Sequence, residues 1–386
     1  MALFSSMERY DYIFAGAGCA SLSLAYHLMR SSLKHKKILL IDPNIYQIPD
    51  KTWCYWAKTP LEIHPTNAIH SWDNLNLKFG TKSQVNPLGD LKYYHLNSKD
   101  FYQSIHQEFK LLENIVYKES TVTSTQEVDS GVIVTTTDGE KYEAQMVFDS
   151  RFDPNQIIPS AHLKQIFSGW KIETSKPIFD PSSFTLMEIQ ENSNSQFDFF
   201  YILPYSKNSA LVEFTAYSKT NIDKLALEKE LKSYLTSLLK TEDYQITFQE
   251  TGVIPMTNKS VNRKKSNRII PIGTAAGWTK ASTGYTFQKI QGNSKKIVSN
   301  LENGSAATNG ISRSRRFEFY DNILLNIASR WPEKLAGVFE DLFKNNPTEK
   351  VLRFLSEETT LVDEIKLLSR LKFGIFIKSL LRYESH

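Results

Sequence analysis

Apolar and polar positions along the chain predict a repeated alternation of strands and helices before any residue is read for its chemistry. Residues 10–15 are a short β-rich run, and 38–41 a continuous apolar one, the pattern of a parallel strand covered on both faces. Between them, Leu22, Leu24, Ala25, Leu28 and Met29 give a largely apolar helix from Ala20 to about Ser31. Residues 144–148 predict a strand ending at Asp149, preceded by a hairpin with Asp138-Gly139 at its turn. Residues 197–203 and 210–217 read as an antiparallel pair, and residues 219–240 as a helix. Residues 268–272 form a late strand, followed again by a glycine turn and a helix. From Arg315 onward the pattern is mainly helical, with Pro332 and Pro347 marking helix starts. Residues 50–95, rich in Trp, Tyr, His and Pro, are expected to be irregular, and residues 303–310 to form a linker.

A chain of 386 residues has room for more than one domain, and 41% hydrophobic with 23% charged residues fits a globular protein. The net charge of +4 is mildly basic, but Lys36-Lys37 and Arg263-Lys264-Lys265 lack interleaved aromatics, so no nucleic-acid partner is expected. A lipid surface or a cofactor phosphate is the better match. Cys19 and Cys54 have no thiol or imidazole at ligand spacing, so no metal is expected and a reducing compartment is the simplest setting. Residues 1–7 are too short and polar for a signal segment, and no run approaches the ~18 apolar residues of a membrane span. The expectation is a cytoplasmic protein that meets a membrane, if at all, from one side.

Candidate chemistry begins at Gly16-Ala17-Gly18-Cys19-Ala20-Ser21, a GxGxxG-type turn with serine in the third position. Gly16 permits a tight turn, Gly18 lets the backbone approach a pyrophosphate at the positive end of the helix, and Ser21 keeps helix and strand close. Asp42 ends the next strand, where an acceptor for ribose hydroxyls belongs. A second turn, Gly273-Thr274-Ala275-Ala276-Gly277, follows the late strand. It could be an ordinary turn at a strand end. A turn of this kind closes the flavin site in many flavoproteins, however, so Gly273, Thr274 and Gly277 favour FAD over a simple NAD site.

Four segments, in order from residue 10 to about 290, resemble the lycopene cyclase family. They are the first glycine turn with its flanks, Asp50-Lys51-Thr52-Trp53-Cys54-Tyr55-Trp56, Leu211-Val212-Glu213-Phe214-Thr215, and the second turn with Ser282-Thr283-Gly284-Tyr285. Gln165-Ile166-Phe167-Ser168-Gly169-Trp170 is similar to a further family segment. Two departures stand out. Lys280-Ala281 replaces the His-Pro that commonly precedes S-T-G-Y, and Glu213 stands alone where two consecutive acids are common. Phe354-Leu355-Ser356-Glu357-Glu358-Thr359 resembles the paired-acid string of the plant enzymes but lies after S-T-G-Y, and is read as a solvated helix end.

The resemblance implies an α/β fold: a Rossmann-like FAD-binding domain (1–48, 90–155 and 260–302), an interleaved antiparallel-sheet substrate domain (49–89 and 156–259) and a helical C-terminal region (303–386). It implies a substrate such as lycopene or another linear carotene. Protonation of a terminal double bond gives a tertiary cation, an internal double bond attacks it, and proton loss leaves a β-ionone ring, as in γ- or β-carotene. FAD acts in reduced form, maintained by NAD(P)H, with Thr283 and Gly284 beside it. Glu213 becomes the general acid, and Trp53, Trp56, Trp170 and Tyr285 are candidates for stabilising the cation. A C40 hydrocarbon resides in lipid, so residues 367–382, apolar and basic, either lie on the inner face of the membrane or dock as a terminal helix. The competing readings are a redox FAD enzyme, either a monooxygenase or a prenyl reductase, and a lipid-carrying flavoprotein. Gly273-Thr274 stands where hydroxylases usually carry Gly-Asp. One ring or two, β or ε ring, and oligomeric state stay open.

Overall fold

The computed structural model describes residues 7–66, 69–153, 158, 161–190, 197–240, 243–258 and 266–385. Strand β1 (Glu8–Ala15) runs parallel to β2 (Ile38–Asp42), joined by helix α1 (Cys19–Met29). Residues 20–28 of α1 are all buried, because α1 packs on the sheet and also on α4 (Phe287–Glu302), so it is apolar on nearly every side. β8 (Ile115–Glu119) extends the parallel set beyond β2. On the other side of β1 lies β11 (Lys141–Asp149), with β17 (Ile269–Pro271) parallel to it. β9 (Val122–Val128) and β10 (Gly131–Thr136) complete this sheet in antiparallel fashion, and their valines cover the face away from α1. This is the expected Rossmann-like architecture, and the central strand β2 is a continuous apolar run at residues 38–41 because both its faces are covered.

Residues 50–95 correct the sequence reading. They are not irregular but carry five strands: β3 (Thr52–Ala57), β4 (His70–Trp72), β5 (Asn74–Phe79), β6 (Lys82–Pro87) and β7 (Lys92–Asn97). Aromatics fill both faces of β3: Tyr55 stacks on Tyr94 at 5.2 Å, and Trp56 on Tyr93 at 6.1 Å. Strict polar alternation, the usual sign of a strand, is therefore missing. β3, β7 and β4 form a small antiparallel sheet. That pairing spans the expected boundary at 89/90, because β3 and β4 of one expected segment bond to β7 of the other.

β5 and β6 join a second large sheet in the order β16-β12-β15-β14-β13-β5-β6, where β12 is Leu163–Thr174, β13 Ser183–Ile189, β14 Phe197–Pro204, β15 Ser209–Ser218 and β16 Tyr244–Met256. Helix α3 (Lys224–Leu239) covers one face, burying Leu227, Leu231 and Leu235 against Val212 and Phe214. It begins later than expected because the Asp223 carboxylate accepts the Leu225 N–H and caps the helix there. The opposite face looks toward the first sheet.

After β17, residues 273–276 make one tight helical turn, and α4 starts only at Phe287, so the helix does not follow the glycine turn directly. Residues 303–310 are not a free linker: Ala307 is core, and Asn300 Nδ2 donates to its carbonyl at 2.9 Å. The C-terminal region is helical: α5 (Arg315–Arg330), α6 (Leu335–Lys344), α7 (Thr348–Leu355), α8 (Leu361–Leu368) and α9 (Phe373–Leu381). α2 (Ser98–Phe109) follows β7 and backs the first sheet. Among the described residues no helix is long and apolar enough to cross a membrane. The Arg263-Lys264-Lys265 cluster, residues 1–6, and the expected boundaries at 155/156 and 259/260 lie outside the described residues.

Candidate active site

The two glycine turns meet. Gly273 adopts φ +65°, open to few residues other than glycine, and a Cβ added there would lie 2.8 Å from that of Ala20 in the first turn of α1. Gly16 is equally constrained, at φ +98° against Ser150. The turn between them is tied down by two contacts. Asp42 Oδ2 accepts the Ala17 N–H at 2.8 Å, and Ser21 Oγ donates to Ser150 Oγ at 3.0 Å. Asp42 Oδ1 accepts from Asn44 N at 2.8 Å, and each oxygen keeps acceptor capacity for a ribose. In front of Gly18, which caps α1, no atom stands within 4 Å of where a Cβ would be, and the first helical bond is Leu22 N–H to Gly18 C=O. The amides of the first turn thus lack helical acceptors and lie at the positive end of the helix.

A cleft of about 450 Å³ runs from Cys19 of α1 and Thr274 of the second turn, past residues 283–287, to the inner face of β12, β15 and β16. Phe167, Tyr201, Leu203 and Leu211 wall it, and two acids, Glu213 and Glu250, stand in that wall. Strand alternation accounts for the arrangement: Val212 and Phe214 turn under α3, and Glu213 turns into the cleft. Thr215 Oγ1 donates to Glu213 Oε1 at 2.8 Å. Glu250 is almost wholly buried; its Oε2 accepts the Thr52 N–H at 3.1 Å. Burial, and then the charge of Glu250, push the Glu213 carboxyl well above the usual carboxylate range, against the opposing effects of the Thr215 hydroxyl and Lys51. Burial likewise raises Glu250, opposed by Thr52 and Lys51.

The signature stretch around β3 lines the same cleft. Trp53 stacks on Phe287 at 5.5 Å, and Lys51 Nζ donates to the Thr251 carbonyl at 2.8 Å beside Glu250. Tyr285 and Cys54 separate this cleft from a second one of about 690 Å³. Trp56 faces that second cleft, edge-on to Tyr285 at 4.7 Å, with Nε1 donating to Ser356 Oγ at 2.5 Å. Thr283 and Gly284 line the cleft of the acids, whereas Gly277 lines the other. Trp170 is a correction: it lies beneath α3 on the far face of β12, one residue out of phase with the cleft, and packs as core.

Lys280, at the histidine's place, does not reach the acids. Its Nζ lies 2.9 Å from Asp321 and 3.3 Å from Glu357 in the second cleft, where Arg313 bonds both carboxylates. Glu357 therefore corrects the solvated-end reading. Its side chain is buried in this network, and although burial opposes ionisation, Lys280 and Arg313 hold its carboxyl at about 2. Glu358 alone faces water.

Sequence reasoning missed Glu250, Lys51 and Gly169. Glu250 sits in a strand of mixed polarity, and only the pairing of β16 with β12 shows which way it turns.

The residues fit a flavin dinucleotide. Space is open before Gly18, an acid ends β2, and three buried polar atoms around the cleft have no partner among the described residues: Gln165 Oε1, Glu250 Oε1 and Thr283 Oγ1. Among the described residues no group of His, Cys, Asp and Glu could hold a metal ion.

The family model described as Lycopene cyclase protein matches residues 11–382. A chloroplastic neoxanthin synthase from Solanum tuberosum is 22% identical over 334 residues, covering 81% of this chain and 64% of the relative, so the chain spans just under two thirds of that protein. A geranylgeranyl bacteriochlorophyll reductase-like protein from Thermoplasma acidophilum has a similar structure (TM-score 0.63, 14% identity, 97% of this chain and 99% of that one). So does a flavoprotein/dehydrogenase from Cytophaga hutchinsonii (TM-score 0.62, 13% identity, 97% and 98%). At such identities these two establish the fold alone.

Proposed function

The chain belongs to the lycopene cyclase family, and from that premise we propose that it closes the linear ends of lycopene into β-ionone rings by proton transfer, with no net oxidation. The observation that carries this reading is Glu213: a carboxyl kept protonated by burial, in a cleft walled by Phe167, Tyr201, Leu203 and Leu211. Protonating an unactivated double bond requires a strong donor close by, and the resulting cation requires shelter from water. Glu213 supplies the proton, the apolar wall excludes water, and the faces of Trp53 and Tyr285 stabilise positive charge.

Residues 16–21, Asp42, Gly273, Thr274, Thr283 and Gly284 would hold FAD along the cleft. When bound in reduced form, maintained by NAD(P)H, the flavin supplies an electron-rich face to the cation. Discontinuous flavin and substrate domains with the boundaries given above are part of the same reading. So is a peripheral position on the inner face of the membrane. In support of it, Phe373, Ile377, Leu380 and Leu381 of α9 are exposed beside Lys372 and Lys378, while Ser379 anchors the helix through Asn326.

Expression in a lycopene-producing host tests the proposal. Pigment of unchanged mass bearing one or two rings is expected, and Glu213→Gln should retain flavin while losing ~10²–10⁴-fold in ring formation. A product heavier by hydrogen or by oxygen would point instead to a reductase or a monooxygenase.

A further inference from the structure

The acid opposite Glu213 carries an inference that rests on the cyclase reading. β12 runs between β15 and β16, and its Gly169 pairs with Glu213 on one side and with Glu250 on the other. Directly opposed residues of antiparallel strands share a face, so both glutamates rise on the cleft side of the sheet, flanking a position with no side chain. Their backbones are two strand spacings apart, about 9–10 Å. Glu213 bends into the gap: a Cβ at Gly169 would lie 3.3 Å from Glu213 Cβ and 3.5 Å from its Oε2. On the far side, Glu250 is anchored through Oε2 by the Thr52 N–H, and its Oε1 is buried without a partner among the described residues. Lys51, held on the Thr251 carbonyl, lends positive charge nearby without binding either carboxyl. Two acids from separate strands thus flank a single glycine on the cleft side of the sheet.

We propose that Glu213 and Glu250 share one proton over Gly169, Glu213 acting as the acid and Glu250 as the base that removes the ring proton. Ring closure adds a proton at one carbon and removes one from another, a separation that a single fixed carboxyl spans poorly and two spaced carboxyls span well. The proton leaves Glu213 for the terminal double bond, and the internal double bond forms the new carbon–carbon bond to the cation. A C–H bond then breaks, its electron pair becoming the ring double bond and its proton passing to Glu250. Transfer over Gly169 returns that proton to Glu213, so nothing is consumed. Burial and the charge of Glu250 both oppose ionisation of Glu213, which keeps one proton on the pair.

Glu250→Gln tests this, with flavin content as the check that the variant folds and Glu250→Asp as the conservative partner. Ring formation should fall by ~10²-fold or more with KM for lycopene little changed, and Glu250→Asp should recover part of it. Infrared titration of the buried carboxylic acid, with no substrate present, should place its ionisation at lower pH in Glu250→Gln, since Glu213 loses a neighbouring negative charge. The other titratable and charged groups acting on the pair, Asp50, Lys51, Cys54, Tyr201, Tyr205 and Tyr285, are unchanged in that variant. Wild-type rates in Glu250→Gln, or an unmoved titration, overturn the role of Glu250 and leave the cyclase reading standing. A wild-type protein that forms no ring refutes the cyclase reading and the base role together, whatever the titration does.

Discussion

Alanine at Gly273 and alanine at Gly18 should have opposite signatures, though both glycines belong to the dinucleotide turns. At Gly273, φ is +65° and the added Cβ would sit 2.8 Å from that of Ala20, against an optimum near 3.5–4.0 Å. The left-handed backbone costs about 1–2 kcal/mol for a residue with a side chain, and overpacking of this kind about 1–3 kcal/mol. The sum is about 2–5 kcal/mol. An unfolding entropy of about 2.1 cal/mol/K per residue over 386 residues makes one kcal/mol worth about 1.2 °C, so Tm should fall by roughly 2–6 °C. At Gly18 the backbone is ordinary (φ −74°) and no atom lies within 4 Å of the new Cβ. The flavin-free protein should therefore melt within about 1 kcal/mol of wild type, the remainder being a weaker helix cap. The methyl would occupy the approach that a pyrophosphate needs, and flavin should be lost. Thermal melts of flavin-free protein, paired with flavin absorbance per chain after reconstitution, separate the two effects. A Gly18→Ala protein that binds flavin like wild type, or a Gly273→Ala protein with an unshifted Tm, would refute the placement of the pyrophosphate or the meeting of the turns.

Other consequences can be measured with the same protein. Gly169→Ala pushes on Glu213 from 3.3 Å and should cut ring formation by about 10²-fold while costing little in flavin content; full turnover would mean the acid does not need the gap. Trp170→Phe should leave turnover unchanged, because Trp170 packs beneath α3 away from the cleft; a drop in ring formation without a drop in Tm would contradict that. Lys280→Met breaks a buried ion network and should destabilise the fold by about 3–5 kcal/mol in denaturant titration. Glu357 ionises more easily folded than unfolded, so the stability it contributes is present above its ordinary value of 4.5 and is lost as pH falls toward about 2. The stability gap between wild type and Glu357→Gln should therefore be constant near neutrality and close between those values; a gap that persists at pH 2 would argue against the ion pairs as its source.

The strands and helices nearest the N-terminus were legible because their signals are local. A glycine pair in a tight turn, a run such as residues 38–41 and an acid at its end each follow from backbone sterics and burial within a few residues. Residues 50–95 were not legible, since aromatics packed on both faces erase the alternation by which a strand is recognised. Glu213 could be singled out from its resemblance to a family segment. That it turns into a cleft follows from the register of β15 on β12, a long-range fact.

Glu357 and Trp170 show the same division from the other side. A pair of glutamates after a helix reads as solvent-facing until Lys280 and Arg313, brought in from distant segments, enclose one of them. A tryptophan one position past Gly169 lies on the wrong face of its strand, and a single-residue step reverses its exposure to the site. By itself the sequence determined the Rossmann-like opening and the two glycine turns, because these depend on neighbours along the chain, while the candidate acid came from its resemblance to a family segment. Only the tertiary structure decided which side chains share the cleft, and that Gly169 leaves room between Glu213 and Glu250, because proximity across strands depends on register rather than on spacing in the chain.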